Sequence, residues 1–164
     1  MDLRPTDQQP PSPGSDPGVS SWLSPWTAAG FFRELQQLSP LRVISINGPS
    51  VFETICELGP FGVANETLNV IAKSYHWHLD LQRFRFLRSV DSVHERSGRQ
   101  VLFFELAEAP DAPPFLLVSL YRGSGEAFGE KREALFATLH REMRNGVALR
   151  LETPGDRANE EGRS

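Results

Sequence analysis

From Thr27 onward the apolar residues Phe31, Leu35 and Leu38 recur at helical spacing until Ser39-Pro40 interrupts them. This pattern predicts one amphipathic helix with Thr27 as its N-cap. The period then changes to two, the spacing at which alternate side chains face opposite sides of a sheet. Leu41–Ile46 reads as a strand and Asn47-Gly48-Pro49 as a turn; Val51–Leu58 fits either a strand or a helix, and its bracketing by Gly-Pro signals favours a strand. Leu68–Leu81, Phe84–Val93, Arg99–Leu106 and Phe115–Arg122 follow as strands. The Pro-rich connection Ala107–Pro114 is too short for a crossover helix, so its flanking strands are expected to be antiparallel neighbours. Phe128, Leu135, Leu139 and Met143 then share one face of a closing helix that Asn145-Gly146 ends. Glu126 and Glu130 near its start and Arg141 and Arg144 near its end suit the helix dipole. The expected fold class is α+β: an antiparallel meander of about six strands between an N-terminal and a C-terminal helix, its apolar face covered by a helix or a second subunit.

Composition bounds the organisation of the 164 residues. Residues 1–25 hold six prolines among Ser, Asp, Gln and Gly, too little apolar surface to offset the entropy of ordering. The expected division is a disordered leader at 1–26, one folded domain at 27–152 and a polar tail at 153–164. Trp22 and Trp26 at the end of the leader are expected to dock on the folded part, because exposed tryptophan is costly. The formal charge of −4 belongs to the two ends, since residues 27–151 carry 14 Lys+Arg against 14 Asp+Glu. A neutral domain excludes a general basic field, so no nucleic-acid partner is expected. No stretch has the length and apolarity of a membrane span, and the N-terminus lacks the apolar run of a signal peptide. Cys56 alone forms no internal disulfide and fits a reducing compartment, so a cytoplasmic location is expected. A small buried filler is the expected role of this thiol, which has no cation beside it in sequence.

Two segments carry candidate chemistry. In Tyr75-His76-Trp77-His78-Leu79-Asp80, a strand places His76, His78 and Asp80 on one face and Tyr75, Trp77 and Leu79 on the other. Imidazoles at i and i+2 stand roughly 7 Å apart, close enough to share one metal ion, although a catalytic metal centre wants a third protein ligand. Gln82 and Arg83 occupy the positions where a cupin-type Glu would stand, and two surface histidines are the plainer explanation. The second segment is Arg83-Phe84-Arg85-Phe86-Leu87-Arg88, with Arg96 and Arg99 beyond. Alternating Arg and Phe can stack bases and contact phosphates, or simply bury Phe84 and Phe86 and leave the arginines in solvent. Between these lies a strip of paired donors for a small acidic ligand. No Gly-x-Ser-x-Gly elbow or dinucleotide glycine loop is present, and no catalytic residue is assigned.

Asn69-Val70-Ile71, Trp77-His78-Leu79, the hairpin ending Val101-Leu102-Phe103-Phe104-Glu105, Val118-Ser119-Leu120-Tyr121-Arg122-Gly123 and the Leu/Phe-rich closing helix together resemble the bacterial haem-utilisation proteins of the HemS, ChuX and HutX type. The likeness covers residues 41–140 and corresponds to one repeat of the two-repeat members or the whole of the single-repeat ones. It implies a large antiparallel sheet, pairing as a homodimer, and haem bound on the sheet by an axial His with cations at the propionates. His78 stands where the family has the His of a Leu-His-Leu or Gly-His-Ile strand, with His76 as the alternative ligand. Arg83, Arg85 or Arg88 would meet the propionates, and Asp80 would orient an imidazole. One family feature is missing: the Ile-His-Thr-Gly-Pro segment of the two-repeat proteins corresponds here to Val51–Pro60, which contains no His.

Three functions therefore stand as expectations. The first is a haem-binding or haem-handling protein, non-enzymatic or at most weakly haem-degrading. The second is a metal enzyme on His76 and His78. The third is a divergent module that binds a small acidic molecule or a protein.

Overall fold

The computed structural model describes residues 25–152. The polar tail, Trp22 and all of the leader except Pro25 and Trp26 lie outside the described residues. Element order is α1 (Ala28–Gln37), β1 (Leu41–Asn47), β2 (Ser50–Cys56), β3 (Phe61–Ala64), β4 (Thr67–Ile71), β5 (His76–Asp80), β6 (Phe86–Val93), β7 (Gln100–Ala107), β8 (Leu116–Leu120), α2 (Glu130–Met143) and β9 (Val147–Ala148). Six strands form one sheet in the order β2-β1-β8-β7-β6-β9, and β3-β4-β5 form a second. The ladders within both sheets are antiparallel, including the β7–β8 pair expected from the short Pro-rich connection. The α+β class with a large antiparallel sheet is as the sequence predicts.

The second sheet is where the strand pattern misleads. Leu68–Leu81 is not one strand but the hairpin β4–β5, turning at Ala72–Tyr75, where Ala72 N–H donates to the Tyr75 carbonyl at 3.0 Å. The alternation breaks at Ile71-Ala72-Lys73-Ser74 and resumes one residue out of phase, a short interruption that a period of two on both sides conceals. Two short strands, β3 and β9, escape periodicity altogether.

Thr27 caps α1 as its hydroxyl accepts from Gly30 N–H at 3.0 Å. The Glu152 carboxylate accepts from Ala29 N–H at 2.8 Å, adding a negative charge at the helix N-terminus. Helix α1 lies between the sheets. Phe32 packs on Phe61 and Trp77 of the small sheet at 6.0 and 5.4 Å between centroids, while Phe31 meets Phe104 of the large sheet at 5.1 Å. Phe104 continues to Phe136 on α2 at 5.2 Å, so one chain of rings links every layer. On α2 the buried residues are Phe136, Leu139 and Met143. Phe128 is buried too, but it precedes the helix. Gly146 ends α2 at φ +83°, where a Cβ would strike the Phe86 ring. Trp26 docks as expected, its indole N–H donating to Glu142 at 3.0 Å.

Both helices cover the same face of the large sheet, the one bearing Leu41, Val43, Leu87, Phe104, Leu106, Leu116 and Val118. On the opposite face Ile44, Ile46, Phe103 and Leu117 stay half-exposed. Among them sit the ion pairs Arg42–Glu53 and Arg88–Glu105.

Candidate functional site

The histidine strand β5 is the open edge of the small sheet, paired with β4 alone. Period-two alternation puts His76, His78 and Asp80 in solvent and turns Trp77 and Leu79 toward the core, as the sequence predicts. Register then decides the neighbours: Asn69 stands opposite His78, and Ile71 opposite His76. His78 Nδ1 lies 2.7 Å from Asn69 Oδ1. The Asn69 amide is itself oriented, because its Nδ2 donates to the Thr67 carbonyl at 3.0 Å and leaves Oδ1 to face the ring. An oxygen acceptor on Nδ1 requires the proton there, so in the neutral imidazole Nε2 carries the lone pair. This is the arrangement by which metal-ligating histidines are commonly oriented.

Asn69, rather than Asp80, is thus the group that orients His78. Asp80 instead caps the turn that follows, its carboxylate accepting from Gln82 N–H at 2.9 Å. Asn69 could be recognised only after the hairpin register is known.

Beside this pair the exposed face of β3 and β4 forms an apolar depression of about 400 Å³, lined by Pro60, Gly62, Ala64, Ile71 and Asn69 among others. Ile71, 55% exposed, gives the depression an apolar edge. Asn69 thus joins the two features, lining the apolar depression and orienting the His78 ring on the neighbouring strand.

The arginine segment does not form a single alternating strand. Arg83 and Phe84 lie in the turn after β5, where Phe84 N–H donates to the Asp80 carbonyl at 3.1 Å, and β6 begins only at Phe86. Phe84 is buried and Phe86 half-buried. Exposed Arg83 is ion-paired with Glu108. Arg88 lies on the other sheet and forms an ion pair with Glu105, with Nε at 2.8 Å. Arg85, half-buried, has its backbone held between Ala107 and Leu149. His76 and His78 are thus together, Arg83 is at the end of their strand, and Arg88 is on a different face. No group of three His, Cys, Asp or Glu side chains among the described residues is placed to hold a metal ion.

Cys56 is half-buried beside Tyr75. Burial pushes its thiol above the ordinary value, the nearby Glu57 charge acts in the same direction, and the Tyr75 hydrogen bond opposes them. A thiol shifted this way is a poor nucleophile, consistent with a filler. Burial also raises the Tyr75 phenol, whose hydroxyl donates to the Glu57 carbonyl at 2.7 Å and accepts from Gly59 N–H at 3.2 Å.

No family model matches the sequence, and neither does any curated protein. Solved structures do match the fold. A structural-genomics protein of Agrobacterium tumefaciens is 14% identical with a TM-score of 0.60, over 71% of this chain and 66% of that one. The haem-binding protein ChuX is 10% identical with a TM-score of 0.60, over 70% of this chain and 71% of its own. Holo-PhuS, a haem-binding protein of Pseudomonas aeruginosa, is 17% identical with a TM-score of 0.54, over 67% of this chain but only 32% of PhuS.

Proposed function

We propose, on the premise that this chain carries the fold of ChuX and PhuS, that it binds and hands on haem, with His78 as the axial ligand. The observation that carries the reading is the Asn69–His78 pair, in which Asn69 lines an apolar depression and selects the tautomer whose Nε2 carries the lone pair in the neutral ring. The fold likeness to two haem-binding proteins supports it. Haem bound here would be cargo, offering its iron to a nitrogen ligand and two propionates to cations. His78 supplies the nitrogen, held in one tautomer by Asn69, and His76, two residues along the same face, is the alternative ligand. Arg83, in the turn that follows the same strand, is the candidate for a propionate, with Arg85 two residues further on as the alternative. Arg83 would have to exchange Glu108 for the ligand, and an exposed ion pair of this kind is weak enough to exchange, whereas Arg88, on the other sheet, is not placed to join it.

The exposed position of β5 is better suited to transient carriage than to permanent burial, so a transport or hand-over role fits and catalysis is not required. A homodimer belongs to the same reading. The half-exposed apolar row Ile44, Ile46, Phe103 and Leu117 would be covered by a second copy, and the match to only 32% of PhuS leaves room in that longer protein for a second unit. The protein is proposed to work in the cytoplasm; no helix among the described residues is long and apolar enough to cross a membrane.

Titration of the purified chain with haemin tests the reading. A saturable Soret shift is expected and should be lost in His78→Ala. Absence of any saturable shift refutes haem binding, and a shift that survives in the double variant His76→Ala/His78→Ala refutes this site.

A further inference from the structure

A second concave site lies at the far end of the large sheet, on residues the haem reading does not use. Its volume is about 210 Å³, and its walls include Arg42, Arg99, Arg122, His94, Ser119 and Tyr121. None of the residues lining it is Asp or Glu. Strand register explains why the cations converge. Arg42 on β1 is opposite Ser119 on β8, which is opposite Phe103 on β7, and Arg99 and Arg122 flank the same ends of β7 and β8.

The guanidinium groups are held in place rather than loose. Arg99 donates to the Gly123 carbonyl at 3.1 Å and Arg122 to the Gln100 carbonyl at 3.2 Å, a reciprocal clasp between the two chain segments. Arg122 Cζ also lies over the Phe128 ring, 4.1 Å from its centroid, and Arg42 Cζ over Tyr121 at 5.7 Å. Each clasp spends one nitrogen and leaves the rest of the five-donor fork. Arg42 Nε is buried, and its 3.3 Å approach to Glu53 is an ion-pair distance without hydrogen-bond alignment, so that donor is unsatisfied. The other nearby acids are engaged elsewhere: Glu126 accepts from Gly123 N–H at 3.0 Å and Asp91 from the Gln100 side chain at 2.9 Å. His94, with Nδ1 3.1 Å from Ser97 Oγ, completes the polar wall.

Three held cations, of which Arg42 alone has a carboxylate beside it, surround a cavity with no acid in its wall and favour a negative guest. Size narrows the choice, because this volume is below the roughly 300–1,000 Å³ of pockets for drug-sized ligands. We propose that this pocket binds a compact dianion, a phosphoryl group or a short dicarboxylate, gripped by Arg42, Arg99 and Arg122. Arginine's planar fork suits both, since each presents paired oxygens. The site does not depend on the haem reading.

The test uses the full chain in phosphate-free, low-salt buffer, with inorganic phosphate and succinate as separate probes. Saturable one-site binding is expected by calorimetry, with the His94 ring signals moving in NMR at the same concentrations. Tighter phosphate binding assigns the phosphoryl class, and tighter succinate binding the dicarboxylate class. The double variant Arg99→Ala/Arg122→Ala should lose about tenfold or more in affinity, as expected for removing charge-assisted hydrogen bonds. Arg122→Lys, which keeps the charge but not the fork, guards against a folding defect and should weaken binding by a smaller factor. Haemin titration should be unchanged in all of them. If neither probe moves His94 at millimolar concentration, or if both variants bind like the parent, the proposal is wrong.

Discussion

Replacing Asn69 by Ala separates a ligand histidine from a merely exposed one. The substitution removes the 2.7 Å acceptor on His78 Nδ1 and leaves His78 itself in place. Loss of such an orienting partner typically weakens metal binding by about 10- to 100-fold, or about 1.4–2.7 kcal/mol. His78 is exposed, so water can replace Asn69 as acceptor on Nδ1–H, and the expected loss is at the lower end, near tenfold. Asn69→Asp should act in the opposite direction, because a carboxylate acceptor makes the ring a stronger donor through Nε2. That variant is expected to bind ferric haem more tightly and to lower the reduction potential of the bound iron. Haemin titrations followed at the Soret band give the affinities, and a redox titration gives the potential. Urea midpoints of both variants should match the parent, since the pair lies on the surface. Affinities within twofold of the parent in both variants, with an unmoved potential, would refute the orienting role.

Other expectations concern the scaffold. Arg132 on α2 donates to the carbonyls of Leu38, Pro40, Tyr121 and Phe128, tying α1, β1 and β8 to the second helix. Burial lowers its pKa from the ordinary arginine value, yet it remains charged at neutral pH. Arg132→Met should cost about 2–3 kcal/mol in urea denaturation, the scale of losing charge-assisted bonds to half-buried carbonyls; a loss under about 0.5 kcal/mol would mean that water satisfies those carbonyls equally well. Phe32→Ala removes a fully buried ring that touches both Trp77 and Phe84 and should cost about 3–5 kcal/mol. It should also loosen the small sheet and weaken haemin binding without touching His78. Because burial raises both the Cys56 thiol and the Tyr75 phenol, the folded chain holds these protons more tightly than the unfolded one. The stability they contribute is complete below the ordinary thiol and phenol values and is lost as pH rises through the folded values, so the urea midpoint should fall on the alkaline side. Iodoacetamide should modify Cys56 more slowly than a free thiol at pH 8, and the difference should vanish in urea.

Much of this protein is local and legible. Two-residue alternation alone exposes His76 and His78 and turns Trp77 and Leu79 inward, because successive side chains of any strand point to opposite faces. Thr27 and Gly146 mark helix ends for equally local reasons, a hydroxyl that reaches the first free N–H groups and a backbone angle that favours glycine. The neutral middle of the chain is arithmetic. What tertiary structure decided is who faces whom. Asn69 meets His78 only because Leu68–Leu81 folds back on itself; the period is two on both sides of that turn but its phase shifts by one, with Leu68 and Val70 facing inward before it and Trp77 and Leu79 after it. Arg83 and Arg88 look like a single basic strip in sequence, but they are divided between a turn and another sheet and paired with Glu108 and Glu105. Conversely, Arg42, Arg99 and Arg122 are scattered along the chain and converge through strand order. Pairing register and sheet order come from contacts between distant residues, which periodicity along the chain cannot express.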